Sequence, residues 1–357
     1  DSAFVWLEIE TERDANRAFV QKFPNRSWPT LRVIDPNGER IVLEWEGTAT
    51  VDELLALLSE IKSDPTGAHS EPLRLFLEAS RERNARAFES AEKLLAGALE
   101  KAPRAWAQRD RVIETLVLNE SDQKDFERCV AQAEAHVAEM ATTTTSYASV
   151  LATSLSCNAE RKKEAPPQLS AAVAKFLGGV NDGIMADDRS SVFGASVESA
   201  RASGDEALAN ATARRWLAFL TQARAKAATP AARSVFDAHL VEAAIANGTP
   251  LLAVPALEQS EQDFPKDYNP PARLARVYLE SKRFDDARFA IWRAIERVYG
   301  PRALRIFLLA ADIASARKAP AEEKEALDLA IARTENQVLS PFQEKLRAKA
   351  IERRNAL

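Results

Sequence analysis

The chain has 357 residues, more than the ~100–200 of one domain, so two domains or a repeat array is expected. With 46% apolar and 28% charged residues it can bury a core and is no disordered tail. Its 48 basic and 53 acidic residues argue against a general binder of nucleic-acid phosphates, two cysteines and three histidines build neither a disulfide framework nor a Cys/His zinc cluster, and no apolar run approaches the ~18–20 residues that span a bilayer.

Residues 1–62 hold twelve acids and seven bases, so the whole net charge of −5 lies there. This piece reads as strand, helix, strand, strand, helix. Phe4–Glu10 is apolar and β-favouring, and Thr11–Phe23 carries Ala15, Ala18, Phe19 and Phe23 at helical spacing. Leu31–Asp35 and Arg40–Glu46 are predicted hairpin strands around Pro36-Asn37-Gly38, where Pro presets φ and Asn-Gly tolerates a positive one. Thr50, three residues before Glu53, makes a capping box for a helix over Val51–Ile61. Ser63 to Gly67 then reads as a linker, and the composition changes to Ala, Leu, Arg and Glu.

The run Ser27-Trp28-Pro29-Thr30, the hairpin Leu31 to Gly47 and the closing helix resemble the second half of a thioredoxin fold. That resemblance implies a cis Trp28-Pro29 bond and a peptide-docking edge at Trp28 and Pro29; a trans proline opening a strand is the plainer alternative. The family's central first strand and its Cys-x-x-Cys helix have no counterpart in residues 1–62, which contain no cysteine. A sheet without its middle strand leaves backbone groups unpaired, so some ~30–45 further residues, with any redox motif, are expected upstream of Asp1.

From Glu71 onward apolar residues recur at helical spacing. Between Tyr268 and Pro301, the spacing of Leu274, Ala275, Tyr278, Phe284, Ala287, Ile291 and Ala294 resembles a tetratricopeptide repeat. Gly248 and Pro265 keep its 34-residue period in the segment before, and Ala79, Phe88, Ala91, Leu95, Ala98 and Pro103 repeat its mutual spacing. Arg109–Met140, Thr144–Gly179, Asp187–Ala228 and Ala303–Thr334 each read as a further helix pair, with loops at Ala165-Pro166-Pro167 and Gly178 to Asp182. An ordinary helical bundle is the competing reading.

The fold class expected is thus an α/β thioredoxin-like portion over 1–62, a linker over 63–70, and a tetratricopeptide-like α-α superhelix over 71–357. The resemblance places a protein or peptide partner on the first helix of the clearest repeat, at Asn269, Arg276, Leu279 and Glu280. Arg276 can fork onto a carboxylate and Asn269 can hold a backbone amide, while Arg276 and Glu280, four apart, can instead simply pair with each other. Cys129 reads as a packed thiol in the slot of Ala91 and Ala287; it can pair with Cys157 if their backbones approach, which the sequence does not fix. His136, two turns from Cys129, adds too few ligands for zinc, and Gly178-Gly179 with Gly183 lacks the context of a phosphate loop. No catalytic constellation, metal or cofactor is expected within these residues. The resemblances imply a bacterial thiol–disulfide oxidoreductase or redox chaperone of the cell envelope with its redox motif upstream. A non-catalytic interaction scaffold is the alternative.

Overall fold

The computed structural model describes residues 4–25, 28–63, 70–179 and 183–357. A 3₁₀ turn, Asp14–Asn16, leads into α1 (Arg17–Lys22). The hairpin β1 (Thr30–Asp35) and β2 (Arg40–Glu46) follows, then α2 (Val51–Ser63), α3 (Glu71–Asn84), α4 (Phe88–Lys101), α5 (Arg109–Gln123) and α6 (Phe126–His136). Next come α7 (Thr145–Arg161), α8 (Pro167–Gly178), α9 (Ala186–Ala202), α10 (Glu206–Lys226), α11 (Pro230–Ser234) and α12 (Asp237–Ala246). The chain closes with α13 (Val254–Asp263), α14 (Asn269–Glu280), α15 (Phe284–Ile295), α16 (Ala303–Ala316), α17 (Pro320–Thr334) and α18 (Pro341–Asn355). Two compact units result: Asp1–Asn25 with Leu217–Leu357, and Arg26–Trp216. Most of the expected linker, residues 64–69 with His69, lies outside the described residues.

In the Arg26–Trp216 unit the hairpin pairs Thr30 with Glu46 through to Asp35 with Arg40, with one irregularity at Val33/Ile34. Its turn differs from expectation: the left-handed residue is Glu39 at φ 48°, not Asn37 or Gly38, and Asp35 Oδ1 accepts from the Asn37 N–H at 3.0 Å. The capping box of α2 forms as read, Thr50 N–H donating to Glu53 and Glu53 N–H to Thr50 Oγ1. The hairpin is locked onto the helices behind it by buried charge. The Arg111 guanidinium stacks 4.3 Å above the Trp45 ring and donates to the Glu46 carbonyl at 2.7 Å and to Glu114 at 2.6 Å. Asn84 reaches Glu44 at 3.0 Å, and Thr145 donates to Glu53 from both its backbone and its hydroxyl.

In the other unit, the apolar Phe4–Glu10 segment forms no strand. No strand lies beside it among the described residues, and an extended segment without a pairing neighbour cannot satisfy its backbone as a ladder does. The helix expected over Thr11–Phe23 shrinks to the 3₁₀ turn and α1, with Phe23 buried at its end.

The helix pairs expected from spacing are present: α3/α4, α5/α6, α7/α8, α9/α10, α12/α13, α14/α15 and α16/α17. Their shared slots hold small buried residues, Ala79, Ala91 and Ala98 in one pair and Ala275, Ala287 and Ala294 in another, all fully buried, so the helix axes can approach closely. Each intra-pair turn also contains one left-handed residue: Arg86, Lys124, Lys162, Gly204, Gly248, Lys282 and Lys318. The turns without the expected glycine therefore adopt the same backbone through an exposed long basic side chain. A residue bearing Cβ is strained there by ~1–2 kcal/mol, part of which glycine returns as unfolded-state entropy. Lys282→Gly and Lys318→Gly should each stabilise the protein by about 0.5–1 kcal/mol in urea unfolding, whereas the same change at a right-handed exposed helix position such as Lys324 should destabilise it.

Candidate functional site

On α14 the buried stripe of Ala272, Leu274, Ala275 and Val277 sets the opposite side to solvent. Arg276 and Leu279 are half-buried there and Glu280 is exposed. Arg276 does not pair with Glu280. Its guanidinium forks onto both carboxylate oxygens of Glu242 on α12, one of the contacts being 2.9 Å, across a separation of 34 residues. A fork that satisfies two oxygens in plane outweighs a single-point contact along one helix. With the two side chains 42% and 48% exposed, the pair is worth under ~1 kcal/mol. Asn269 opens the helix, and both its backbone N–H and its side-chain amide donate to Asp267 Oδ1 at 2.8 Å.

Guanidinium–carboxylate contacts recur between successive helix pairs. Arg293 and Arg297 converge on Glu261 at 2.8–2.9 Å, holding its carboxyl below the usual range despite its burial, and Arg288 reaches Glu322 at 3.2 Å, again 34 residues away. Sequence reasoning missed Glu242 as the partner of Arg276 because it weighed only the local neighbour; the 34-residue period itself carried the signal.

Trp28 and Pro29 belong to the Arg26–Trp216 unit. Their peptide bond is cis, the Trp28 side chain is 54% exposed, and the Pro29 carbonyl accepts from the Gly47 N–H at 2.9 Å. β1, the strand they lead into, pairs with β2 alone among the described residues.

The cysteines are not packed thiols. Cys129 on α6 and Cys157 on α7 form a disulfide, their Cα atoms 6.4 Å apart and both residues buried, so neither offers a thiolate. His136 Nδ1 lies 2.6 Å from Glu139 Oε1 while Cys129 is held in the disulfide, and no set of metal-ligating side chains gathers among the described residues. Residues 180–182 of the glycine loop lie outside the described residues.

Carboxylates do collect in the Arg26–Trp216 unit, each met by hydroxyl or amide donors. Glu53 accepts from Thr50 and Thr145, Glu114 from Ser146 and Arg111, Asp110 from Thr144 and Ala141, and Asp188 from Thr48 at 2.8 Å. Burial pushes the Asp188 carboxyl up to about 6; Asp187, Glu114 and Glu53 add to the rise, and Thr48 opposes it. Burial likewise raises Asp110. These groups fasten α5, α7, α9 and the start of α2 to one another.

Residues 244–322 match the tetratricopeptide repeat family. Similar solved structures include a tetratricopeptide repeat protein from Parabacteroides merdae (11% identity, TM-score 0.46, covering 79% of this chain and 99% of that one). The assembly chaperone of RpL4, Acl4, aligns at 15% identity and TM-score 0.34 over 80% of this chain and 98% of its own. The TPR2AB domain in its pHSP90 complex, from yeast Sti1, aligns at 14% identity and TM-score 0.29 over 78% and 98%. No curated protein matches the chain. No described helix is long and apolar enough to cross a membrane.

Because the carboxyl of Asp188 rests near 6 in the folded protein against an ordinary 3.8, the native state holds the extra proton between those values. Its contribution to stability is complete below about pH 4 and is lost as pH rises through 6. Asp188 Oδ2 has no hydrogen-bond partner, so Asp188→Asn keeps the Thr48 contact and removes the buried charge. The variant should be more stable than the parent at pH 7.5, with the gap closing toward pH 4 in thermal melts; an equal gap at both values would refute the assignment.

Proposed function

We propose that the chain is a protein-interaction scaffold whose tetratricopeptide repeats hold an extended segment of a partner on the α14 face. The observation that carries this reading is the repeat match over residues 244–322 together with an exposed, exchangeable Arg276–Glu242 fork on the first helix of the clearest repeat. A partner carboxylate takes the place of Glu242 on Arg276. Asn269 turns from Asp267 to the partner's backbone, Leu279 meets an apolar side chain, and Glu280 selects against acidic neighbours.

The scaffold reading takes precedence over the oxidoreductase reading, whose redox motif is expected upstream of Asp1, because the repeat match supports partner binding while the two cysteines of the described residues offer no thiolate. The hairpin and α2 support a thioredoxin-like origin for residues 28–63, and strand pairing beside Trp28 and Pro29 is a second docking mode for an extended peptide. The disulfide supports an oxidising compartment such as the cell envelope. Alkylation of free thiols in intact source cells should leave Cys129 and Cys157 unlabelled, and labelling of both would place the protein in a reducing compartment.

The scaffold reading is tested with partners captured from source extracts and then measured one by one by calorimetry. Arg276→Ala and Asn269→Ala should weaken a direct partner about tenfold or more, a loss of ~1.4 kcal/mol or greater, while Arg288→Ala should bind like the parent. If both α14 variants bind like the Arg288 control with unchanged thermal melts, the α14 face is not the binding surface.

A further inference from the structure

The N-terminal segment of the chain lies on its own repeats. Tyr299 Oη donates to Glu10 at 2.7 Å, and the Glu12 carboxylate, 13% exposed, meets the Arg302 guanidinium. Arg13 donates to Glu10 at 2.7 Å while its guanidinium lies 4.5 Å over the Tyr299 ring, and that ring meets Tyr268 edge-on at 6.0 Å. The backbone follows suit. Gly300, at φ +65° in the turn between α15 and α16, brings main chain against main chain, and a Cβ there would stand 2.8 Å from the Glu12 carbonyl oxygen. The seat is therefore shaped for a main chain as well as for two carboxylates.

What occupies the seat is weakly attached elsewhere. Residues 4–10 have no regular secondary structure, and Val5, Trp6 and Leu7 are 89%, 58% and 77% exposed. The exposed side chains of Val5, Trp6 and Leu7, of the kind that normally supplies most of a segment's binding energy, contribute little, and the polar side chains of Glu10, Glu12 and Arg13 help to hold it. Behind them α1 ends on buried Phe23, which keeps the segment tethered beside the seat when it lets go.

We propose that Tyr268, Tyr299, Gly300 and Arg302 form a peptide-binding seat, separate from the α14 face, whose ligand is an extended Glu-x-Glu-Arg segment. The chain's own Glu10–Arg13 fills it in cis, and a partner segment of the same pattern takes it by displacement. The cis segment competes at an effective concentration on the order of mM, so the seat discriminates against weak or mismatched peptides. This inference stands on the Glu10–Arg13 contacts and does not depend on the α14 reading.

The test uses the full chain and a fluorescein-labelled peptide with the sequence of residues 4–16. In the E10Q/E12Q chain the seat is vacated, and the peptide should bind at least tenfold more tightly than to the parent in anisotropy titrations. Adding Arg302→Gln to that chain should remove the gain, and adding Arg276→Ala should not. In the unaltered parent, millimolar unlabelled peptide should speed trypsin cleavage after Arg13 severalfold by holding the cis segment off. Equal binding by parent and E10Q/E12Q chains, or binding indifferent to Arg302→Gln, overturns the proposal. Should the double variant fail to fold, the cleavage experiment decides alone, and a rate unmoved by the peptide overturns it.

Discussion

Each helix pair depends on one backbone event, a single residue in the left-handed region between its two helices. The fully buried alanines then let the pair close. Arg86, Lys124, Lys162, Gly204, Gly248, Lys282 and Lys318 occupy that place, and only two of the seven are glycine. A left-handed residue after a helix gives the last carbonyls new donors and turns the chain back without a long loop. The closures show this: the Arg283 N–H donates to the Tyr278 carbonyl and the Ala319 N–H to that of Ala314. Once the turn is fixed, the two helices pack with Ala275 on the first and Ala287 and Ala294 on the second fully buried, where a larger side chain would have to displace its neighbours. The strain of five basic residues in this region is offset by the packing it permits.

That geometry sets where charge goes. With a pair repeating about every 34 residues, a guanidinium on one first helix comes level with a carboxylate on the preceding one, as Arg276 does with Glu242. Such exposed pairs add little stability singly, but they fix register between successive pairs and remain exchangeable. Buried clusters behave differently. Arg111, shared among Trp45, Glu46 and Glu114, cannot be withdrawn without stranding Glu114 beside Ser146, so that cluster is structural. The exposed forks are where the proposed binding chemistry would act, and the interior charges hold the hairpin in place.

How far the sequence revealed this depends on the range of the interaction involved. The hairpin and the capping box of α2 were legible because turn residues and a three-residue spacing are local signals. The helix pairs were legible because small and large residues repeat at fixed separation. Phe4–Glu10 misled because β propensity describes a fit to a neighbouring strand, and side-chain contacts through Glu10 and Glu12 claim this segment instead. The Cys129–Cys157 bond was undetermined because its condition, a 6.4 Å approach of two helices, is tertiary. Glu280 was the natural partner for Arg276 within one helix, and only the repeat register points to Glu242.

The same reasoning separates the two surfaces proposed for binding. At Arg276 the incumbent is a single side chain from the adjacent pair, and displacing it costs one exposed ion pair. At Arg302 the incumbent is a length of main chain with a desolvated carboxylate, and displacing it requires a ligand that replaces the backbone contact at Gly300 along with the charge of Glu12. A lone carboxylate suffices for the first exchange and not for the second. On the two proposals, the α14 face would select partners by charge and the Tyr299–Arg302 turn by sequence. If both proposals hold, a partner carrying both features would engage the two surfaces together, and its affinity would depend on the spacing between them along its chain as much as on either contact.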